Sequence, residues 1–117
     1  MRILSKCYID DVVDAEAGKL SYGQQKLLNL ACCIACGTPV LLLDEPVAGV
    51  NPIIREKLSK VIIQLKSEGK CLLVIEHNND FIDAVADELF FLHNGNLKHY
   101  SNFTAFRHDK DVLNAYL

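Results

Sequence analysis

Two short apolar runs separated by an amphipathic segment restrict the possible folds of this chain more than any other feature. Residues 40–43 (VLLL) and 71–75 (CLLVI) contain no charged side chain. Between them, residues 53–68 place apolar side chains at helical spacing and charged side chains on the opposite face. A strand, a helix and a second strand predict a βαβ unit with parallel strands and a right-handed crossover. Continuous apolar runs further predict strands that are buried on both faces.

The segment before this unit predicts two helices. The acidic stretch 7–16 is a short helix candidate that ends at Gly18 as a C-terminal cap. Its inward-facing residues would be Val12, Val13 and Ala15. Ser21 followed three residues later by Gln24 is the capping-box pattern, which predicts a second helix beginning there. Gly37, with Pro39 after it, ends that helix.

The segment after the βαβ unit predicts a helix, a hairpin and a closing helix. Residues 79–87 form the first helix candidate. The stretches 88–92 and 97–100 flank Asn94-Gly95, the strongest short turn signal for a β-hairpin. Residues 109–117 close the chain with a short helix. The loop at 48–52 (AGVNP) separates the first strand from the amphipathic helix.

Composition and charge exclude several classes of protein. The 117 residues are half apolar and about a quarter charged, which is typical of one globular domain. A formal charge of −3 with no basic cluster argues against a nucleic-acid partner. No apolar run approaches the roughly 20 residues of a membrane-spanning helix, and the N-terminus lacks the pattern of a signal peptide. We therefore expect a soluble, intracellular chain.

The cysteines predict no disulfide framework, because their number is odd and the context is intracellular. They stand at positions 7, 32, 33, 36 and 71. Cys33 and Cys36 have C-x-x-C spacing but lie inside an apolar helical run, where cysteine behaves as a small buried hydrophobe. A zinc site would need a second pair, which the sequence does not offer.

Ionisable residues end both predicted strands. Asp44 and Glu45 follow the first strand, and Glu76 and His77 follow the second. Parallel strands place these residues at one sheet edge, where ligands bind in open α/β sheets. Asp44 is then a candidate for holding Mg²⁺, Glu45 for orienting or deprotonating a water, and His77 for bonding a terminal phosphate. The alternative for Asp44-Glu45 alone is that strands simply end at solvent.

The start of the second helix offers a phosphate-binding surface. Ser21 supplies a hydroxyl, Gly23 supplies an uncovered backbone N–H, and the helix dipole adds partial positive charge. Taken alone, Ser21 and Gln24 are equally explained as an ordinary N-cap.

Together these stretches resemble the nucleotide-binding domain of ABC ATPases. "LSYGQ" (20–24) is similar to the signature motif, "VLLLDEP" (40–46) to Walker B with its catalytic glutamate, and "AGVNP" (48–52) to the D-loop. His77 stands where the switch histidine belongs. Tyr22, the stretch "IEHN" and the tail "DVLNAYL" most resemble the ATPases of branched-chain amino acid importers, and a lipopolysaccharide-export ATPase is similar in the same places.

The resemblance implies a partial P-loop NTPase-like α/β fold, a cofactor and partners. In the family, two domains enclose two ATP molecules head to tail, so Ser21, Gly23 and Gln24 would contact ATP held by the opposite subunit. Asp44 would hold Mg²⁺, Glu45 would activate water and His77 would sense the γ-phosphate. The nucleotide-binding set is completed by Leu20, Tyr22 and Asn51. The partners would be a second ATPase subunit and transmembrane permease subunits at the cytoplasmic face of a membrane.

A P-loop is not recognisable in these residues. Gly18-Lys19 and Gly69-Lys70 are followed by Leu20 and Cys71, not by Ser or Thr. The resemblance therefore implies the C-terminal part of a cassette. Residues 1–37 would end the helical subdomain and form the signature helix, and residues 38–117 would carry Walker B, the D-loop, the switch histidine and the rest of the core.

Three expectations follow for the chain by itself. We expect it to bind ATP weakly, to hydrolyse it negligibly, and to associate with itself through the unpaired edge of strand 71–75. Two other functions stay open. One is a non-catalytic subunit that donates a signature face to a partner with a P-loop. The other is a soluble ABC ATPase of DNA repair or translation.

Overall fold

The structure is a computed structural model that describes residues 2–116. It divides into two compact units, one ending at Phe81 and the other beginning at Ile82. In chain order the elements are α1 (Arg2–Lys6), α2 (Tyr22–Ala35), β1 (Val40–Asp44), α3 (Pro52–Ser67), β2 (Cys71–Ile75), α4 (Asn79–Val85), β3 (Leu89–His93), β4 (Asn96–Tyr100), α5 (Phe103–Arg107) and α6 (Lys110–Tyr116). Single 3-10 turns lie at Asp10–Val12 and Ala17–Lys19. No helix among residues 2–116 is long and apolar enough to cross a lipid bilayer.

The predicted βαβ unit is confirmed in the first unit. β1 and β2 pair in parallel, with Leu41 opposite Leu72 and Asp44 opposite Ile75. α3 connects them, begins at the N-cap Asn51, and contacts β2. Its buried residues are Leu58, Ser59, Val61, Ile62 and Leu65. Gly69 follows the helix with a φ of +83°, a conformation that favours glycine.

The prediction that both strands are buried on both faces is wrong. Leu41 is buried, but Leu42 is 72% exposed, and Leu73 and Ile75 are 58% and 61% exposed. Successive side chains of a strand point to opposite faces of the sheet. Among the described residues the sheet has only two strands, and it is covered on one face alone. The other face therefore presents apolar side chains to solvent.

α2 begins where the sequence predicts. Ser21 is its N-cap, and the capping box with Gln24 is complete in both directions. The helix buries Leu27, Leu30 and Ala31, which share one face. Cys33 is partly buried, whereas Cys36 is exposed, so the expectation of a buried cysteine is wrong for Cys36. Cys32 and Cys36 are both exposed. They lie four residues apart and share a face that the core does not cover.

The predicted helix over 7–16 is also wrong. The α-helix occupies Arg2–Lys6 and ends before Tyr8, whose φ of +58° is left-handed. Cys7 and Ile9 are fully buried, whereas Val13 and Ala15 are exposed. The left-handed backbone of Tyr8 interrupts a helix between Cys7 and Ile9, and both of these side chains are buried. Gly18 lies inside the turn Ala17–Lys19 and caps no helix.

The second unit is the predicted hairpin with helices after it. β3 and β4 are antiparallel, and Asn94 and Gly95 both have positive φ, at +49° and +76°. This is the signature of the two-residue type I′ turn. The apolar cluster of this unit consists of Leu89, Tyr100, Phe106 and Val112. α5 was not predicted, although Asn102 caps it by accepting from the backbone N–H of Ala105 at 2.8 Å. The closing helix is confirmed up to 116, and position 117 lies outside the described residues.

Candidate functional site

The ends of β1 and β2 bring three ionisable side chains together. The Nδ1 atom of His77 lies 3.7 Å from a carboxylate oxygen of Glu45 and 3.9 Å from one of Glu76. Glu45 and His77 are more than half exposed, whereas only 2% of the Glu76 side chain is exposed. The parallel register places all three at the same end of the sheet, as the sequence predicted. The two accessible groups can reach a ligand, and the third cannot.

Glu45 has an uncommon backbone conformation at the end of β1. Its φ of +46° is left-handed, which is uncommon for a residue with a Cβ. Several hydrogen bonds hold it there. Its N–H donates to the Ile75 carbonyl at 2.9 Å, and its carbonyl accepts from the Ala48 N–H and the Lys26 ammonium, each at 3.2 Å. Such conformations persist where the surroundings fix them, and they cluster at functional sites.

The burial and the backbone hydrogen bonds of Glu76 were not evident from the sequence. Its buried carboxylate accepts three backbone hydrogen bonds, from Val47 at 3.0 Å, His77 at 2.9 Å and Asn78 at 3.0 Å. The sequence placed Glu76 at a strand end beside the other acids. Nothing in the local pattern indicated that it would turn inward and bind the loop that follows β1.

Asp44 is an exposed carboxylate at the last position of β1. Mg²⁺ is commonly held by one or two carboxylates together with substrate phosphates and water. A single aspartate in this place fits that pattern. Within residues 2–116 no three His, Cys, Asp or Glu side chains converge to form a metal site of their own.

The N-terminus of α2 is capped by side chains of its own first turn. The Ser21 hydroxyl accepts from the Gln24 N–H at 3.3 Å, and the Gln24 side-chain oxygen accepts from the Ser21 N–H at 2.9 Å. A hydroxyl has one donor as well as two acceptor positions, so Ser21 can still donate to a phosphate oxygen. Leu20 precedes this cap, and its carbonyl accepts from the Gln25 side chain at 3.1 Å.

Gly23 has a packing reason to be glycine. A Cβ at this position would lie 2.7 Å from Cγ1 of Ile54, closer than real contacts allow. α2 and α3 therefore approach closely at Gly23. Sequence reasoning attributed this glycine to an accessible N–H, and the contact with Ile54 is an additional cause.

Tyr22 joins the start of α2 to the loop that follows β1. Its hydroxyl donates to the Ala48 carbonyl at 3.2 Å, and the Lys26 ammonium lies 5.6 Å from its ring centroid. Lys26 in turn donates to the Glu45 carbonyl. Asn51 ends the same loop, where its side-chain oxygen accepts from the Ile54 N–H at 2.9 Å. The structure thus forms two groups, the α2 start and the strand ends, linked by Tyr22 and Lys26.

Comparison with known proteins gives consistent matches. A model of the ABC transporter family matches residues 2–48. The chain is 34% identical over 113 residues to the probable branched-chain amino acid transport ATP-binding protein LivG of Archaeoglobus fulgidus. This alignment covers 97% of this chain and 42% of that protein. It is 32% identical over 115 residues to the high-affinity branched-chain amino acid transport ATP-binding protein BraF of Pseudomonas aeruginosa, covering 97% and 45%.

This chain is a homologue of ABC transporter ATP-binding proteins. The homologue spans less than half the length of these curated relatives. Its fold is correspondingly part of an ABC ATPase cassette. A nucleotide-free ATP-binding cassette from an ABC transporter superposes with a TM-score of 0.90 at 27% identity, covering 99% of this chain and 47% of that structure. A cassette in its ADP conformation gives 0.88 at 28% identity, covering 98% and 47%.

Proposed function

We propose that this ABC homologue is part of an ATP-binding and ATP-hydrolysing subunit that powers import of branched-chain amino acids. The observation that carries the proposal is the similarity to LivG and BraF over 97% of the chain. The geometry supports it, because accessible carboxylates and an imidazole meet at the carboxyl ends of two parallel strands.

The strand-end residues have distinct roles in this proposal. Asp44 would hold Mg²⁺. When bound, ATP supplies the phosphoryl group, and the ion neutralises the negative charge of its phosphates. More than half of the Glu45 side chain is exposed, so it can accept a proton from a water molecule. His77, with Nδ1 at 3.7 Å from Glu45, can bond a terminal phosphate oxygen. Because its side chain is buried, Glu76 would contact neither the water molecule nor the phosphate.

The start of α2 has the second role. Leu20, Ser21, Tyr22, Gly23 and Gln24 would form a signature motif that meets ATP bound to another subunit, with Asn51 in the loop between the two surfaces. The free donor of the Ser21 hydroxyl and the N-terminal end of a 14-residue helix both favour a phosphate group. The proposed partners are a second ATPase subunit, arranged head to tail, and permease subunits that hold both at the cytoplasmic face of a membrane.

Residues 1–117 assayed alone should bind ATP weakly and hydrolyse it at no measurable rate, because they include no P-loop sequence to hold the phosphates. The second candidate is a non-catalytic subunit that donates its signature surface to a partner with a P-loop. The complete cap at Ser21 favours it, since the proposed signature surface is formed by these residues without any other segment. A soluble ABC ATPase of repair or translation remains the other alternative.

Uptake of radiolabelled leucine, isoleucine and valine by the host organism tests the proposal. Disrupting the gene should abolish this uptake and leave uptake of an unrelated sugar unchanged. A copy with Glu45→Gln should fail to restore it, because loss of a general base reduces the rate by about 10²–10⁴-fold. Glu56→Gln, the same change on the exposed face of α3, should restore it fully.

Each failure has a separate meaning. Unchanged uptake after disruption would overturn the transport proposal. Full rescue by Glu45→Gln would overturn the role of Glu45 and favour the donating role. DNA-repair or translation defects with normal uptake would favour a soluble ABC ATPase.

A further inference from the structure

The carboxylate of Glu76 connects two backbone segments that are distant in sequence. One oxygen accepts from the N–H of Val47, in the loop that begins at Glu45, at 3.0 Å. The other accepts from the N–H groups of His77 and Asn78 at 2.9 and 3.0 Å. Only 2% of this side chain is exposed. A buried carboxylate is tolerated when hydrogen bonds compensate it, and these three bonds do so.

The separation between Glu45 and His77 is not fixed by a bond of their own. At 3.7 Å the pair lies beyond normal hydrogen-bond length, and both side chains are largely exposed. Their relative position therefore depends on the backbone that carries them. The Glu45 N–H donates to the Ile75 carbonyl. The N–H groups of Val47, two residues after Glu45, and of His77 and Asn78 all donate to Glu76.

We propose that Glu76 is the positioning residue that holds the Glu45 loop and the His77 loop at a fixed separation. It acts through backbone N–H groups and touches neither water nor substrate in the reaction. Both of its oxygens are needed, because each serves a different segment. The consequence for turnover rests on the proposed function, whereas the positioning itself does not.

Glu76→Gln is the decisive variant, because it keeps shape and volume and changes one acceptor oxygen into an NH₂ donor. An NH₂ group cannot accept from a backbone N–H, so one segment loses its bond. Glu76→Ala removes all three bonds, and Glu56→Gln on the exposed face of α3 is the matched control.

Backbone amide exchange measured by NMR tests the anchoring directly. The measurement uses residues 1–117 with Leu42→Thr and Leu73→Thr in every variant, because the exposed leucines favour self-association. In Glu76→Gln we expect the amide of Val47, or those of His77 and Asn78, to exchange at least about tenfold faster. In Glu76→Ala all three should do so. Amides of Leu41 and Leu43 should keep their rates in every variant that is folded. Unchanged exchange at all three sites in folded Glu76→Gln would overturn the proposal.

The effect of Glu76 on ATP turnover is measured in the transport complex, which is purified from the host through a tag on this chain. For Glu76→Gln we expect kcat to fall about tenfold to a hundredfold, with KM for MgATP within about twofold. A purely structural role would lower the amount of complex but leave its kcat unchanged, and that result would overturn the positioning role. If the wild-type complex has no ATPase activity, the proposed function fails, and the amide-exchange result alone decides whether Glu76 is the anchor.

Discussion

The Tyr22 hydroxyl donates a hydrogen bond to the carbonyl oxygen of Ala48 across 3.2 Å and so connects the first turn of α2 with the loop between β1 and α3. The ring of Tyr22 also lies against Gly49, where an added Cβ would be 3.3 Å from the ring. Both the hydroxyl and the ring of Tyr22 therefore have defined contacts with residues 48–49 of this loop.

Removing this hydroxyl should weaken the connection without disturbing the ring. Tyr22→Phe is expected to lower the free energy of unfolding by about 0.5–1.5 kcal/mol, the usual contribution of one hydrogen bond. Urea unfolding followed by circular dichroism measures it. Tyr8→Phe, at a tyrosine whose ring centroid lies 5.6 Å from the Lys57 ammonium, is the control and should change little. Equal values for the two variants would contradict a role for the bond.

Gly23→Ala should destabilise the contact between α2 and α3. The new methyl group would lie 2.7 Å from Ile54, so the neighbour must shift, at a cost of about 1–3 kcal/mol. Urea unfolding measures this as well. Gly18→Ala is the matched control, because nothing lies within 4 Å of an added Cβ there. Ile54→Ala in the Gly23→Ala background should recover part of the loss, and failure to recover would contradict the steric explanation.

The proposed role of His77 predicts a loss of turnover in the complex purified from the host. His77→Ala is expected to lower kcat by about a hundredfold or more, because one hydrogen-bond donor to developing charge is removed. A phosphate-release assay measures it. His99→Ala, at a histidine that pairs with Glu88 in the second unit, should leave kcat unchanged. Normal turnover by folded His77→Ala would show that His77 only ends a strand.

Cys7 predicts a specific loss of stability in alkali. Burial raises the pKa of its thiol to about 11, against a lowering effect of Lys6 and a further small rise from Cys32. As the pH rises, the thiol therefore loses its proton in the unfolded chain, near pH 9, before it does so in the folded chain. The free energy of unfolding should be highest below about pH 9 and decline between about pH 9 and pH 11. Each pKa unit corresponds to about 1.4 kcal/mol, so the loss is at most about 2–3 kcal/mol.

Urea midpoints at pH 8 and pH 10.5 measure this effect as a difference between variants. Cys7→Ala should be less stable at pH 8 but lose less stability on going to pH 10.5 than the unaltered chain. Cys36→Ala, at an exposed cysteine, should behave like the unaltered chain. The same pH dependence in all three would contradict the assignment to Cys7.

The exposed side of the β1–β2 sheet predicts self-association of the isolated chain. Leu42, Leu73 and Ile75 are exposed beside strand edges that are unpaired among the described residues. Such surfaces favour pairing with another copy. Size-exclusion chromatography with light scattering should show dimers or larger species at tens of micromolar. Leu42→Thr with Leu73→Thr should shift the population to monomer, and Leu97→Thr, an exposed strand leucine of the hairpin, should not. A stable monomer of the unaltered chain would contradict the prediction.

Sequence predicted best the features that short-range chemistry determines. Ser21 and Gln24 stand three residues apart and bond to each other, and Asn94-Gly95 adopts the turn that its dipeptide favours. Both signals need only neighbouring residues. The parallel pairing of β1 and β2 was also predictable, because a helical connection of this length permits it.

The failures depend on contacts between distant segments. Cys7 and Ile9 are both buried next to α1, a helix that contacts α2, and this packing replaces the helix predicted over 7–16. The exposure of Leu42 follows from which elements cover the sheet, a property that no strand encodes by itself. Glu76 was indistinguishable by sequence from the other strand-end acids, and only its bond to Val47, 29 positions earlier, makes it an anchor.

The reciprocal cap between Ser21 and Gln24 has a consequence for the kinetics of any ligand that meets the start of α2. Those side chains and the first helical turn lose their conformational freedom when the chain folds, before a ligand arrives. Binding then needs little further ordering of the protein, which removes an entropic penalty from association. A preorganised surface of this kind should capture and release its ligand by rigid-body approach, with rates set by diffusion and electrostatics and not by a folding step.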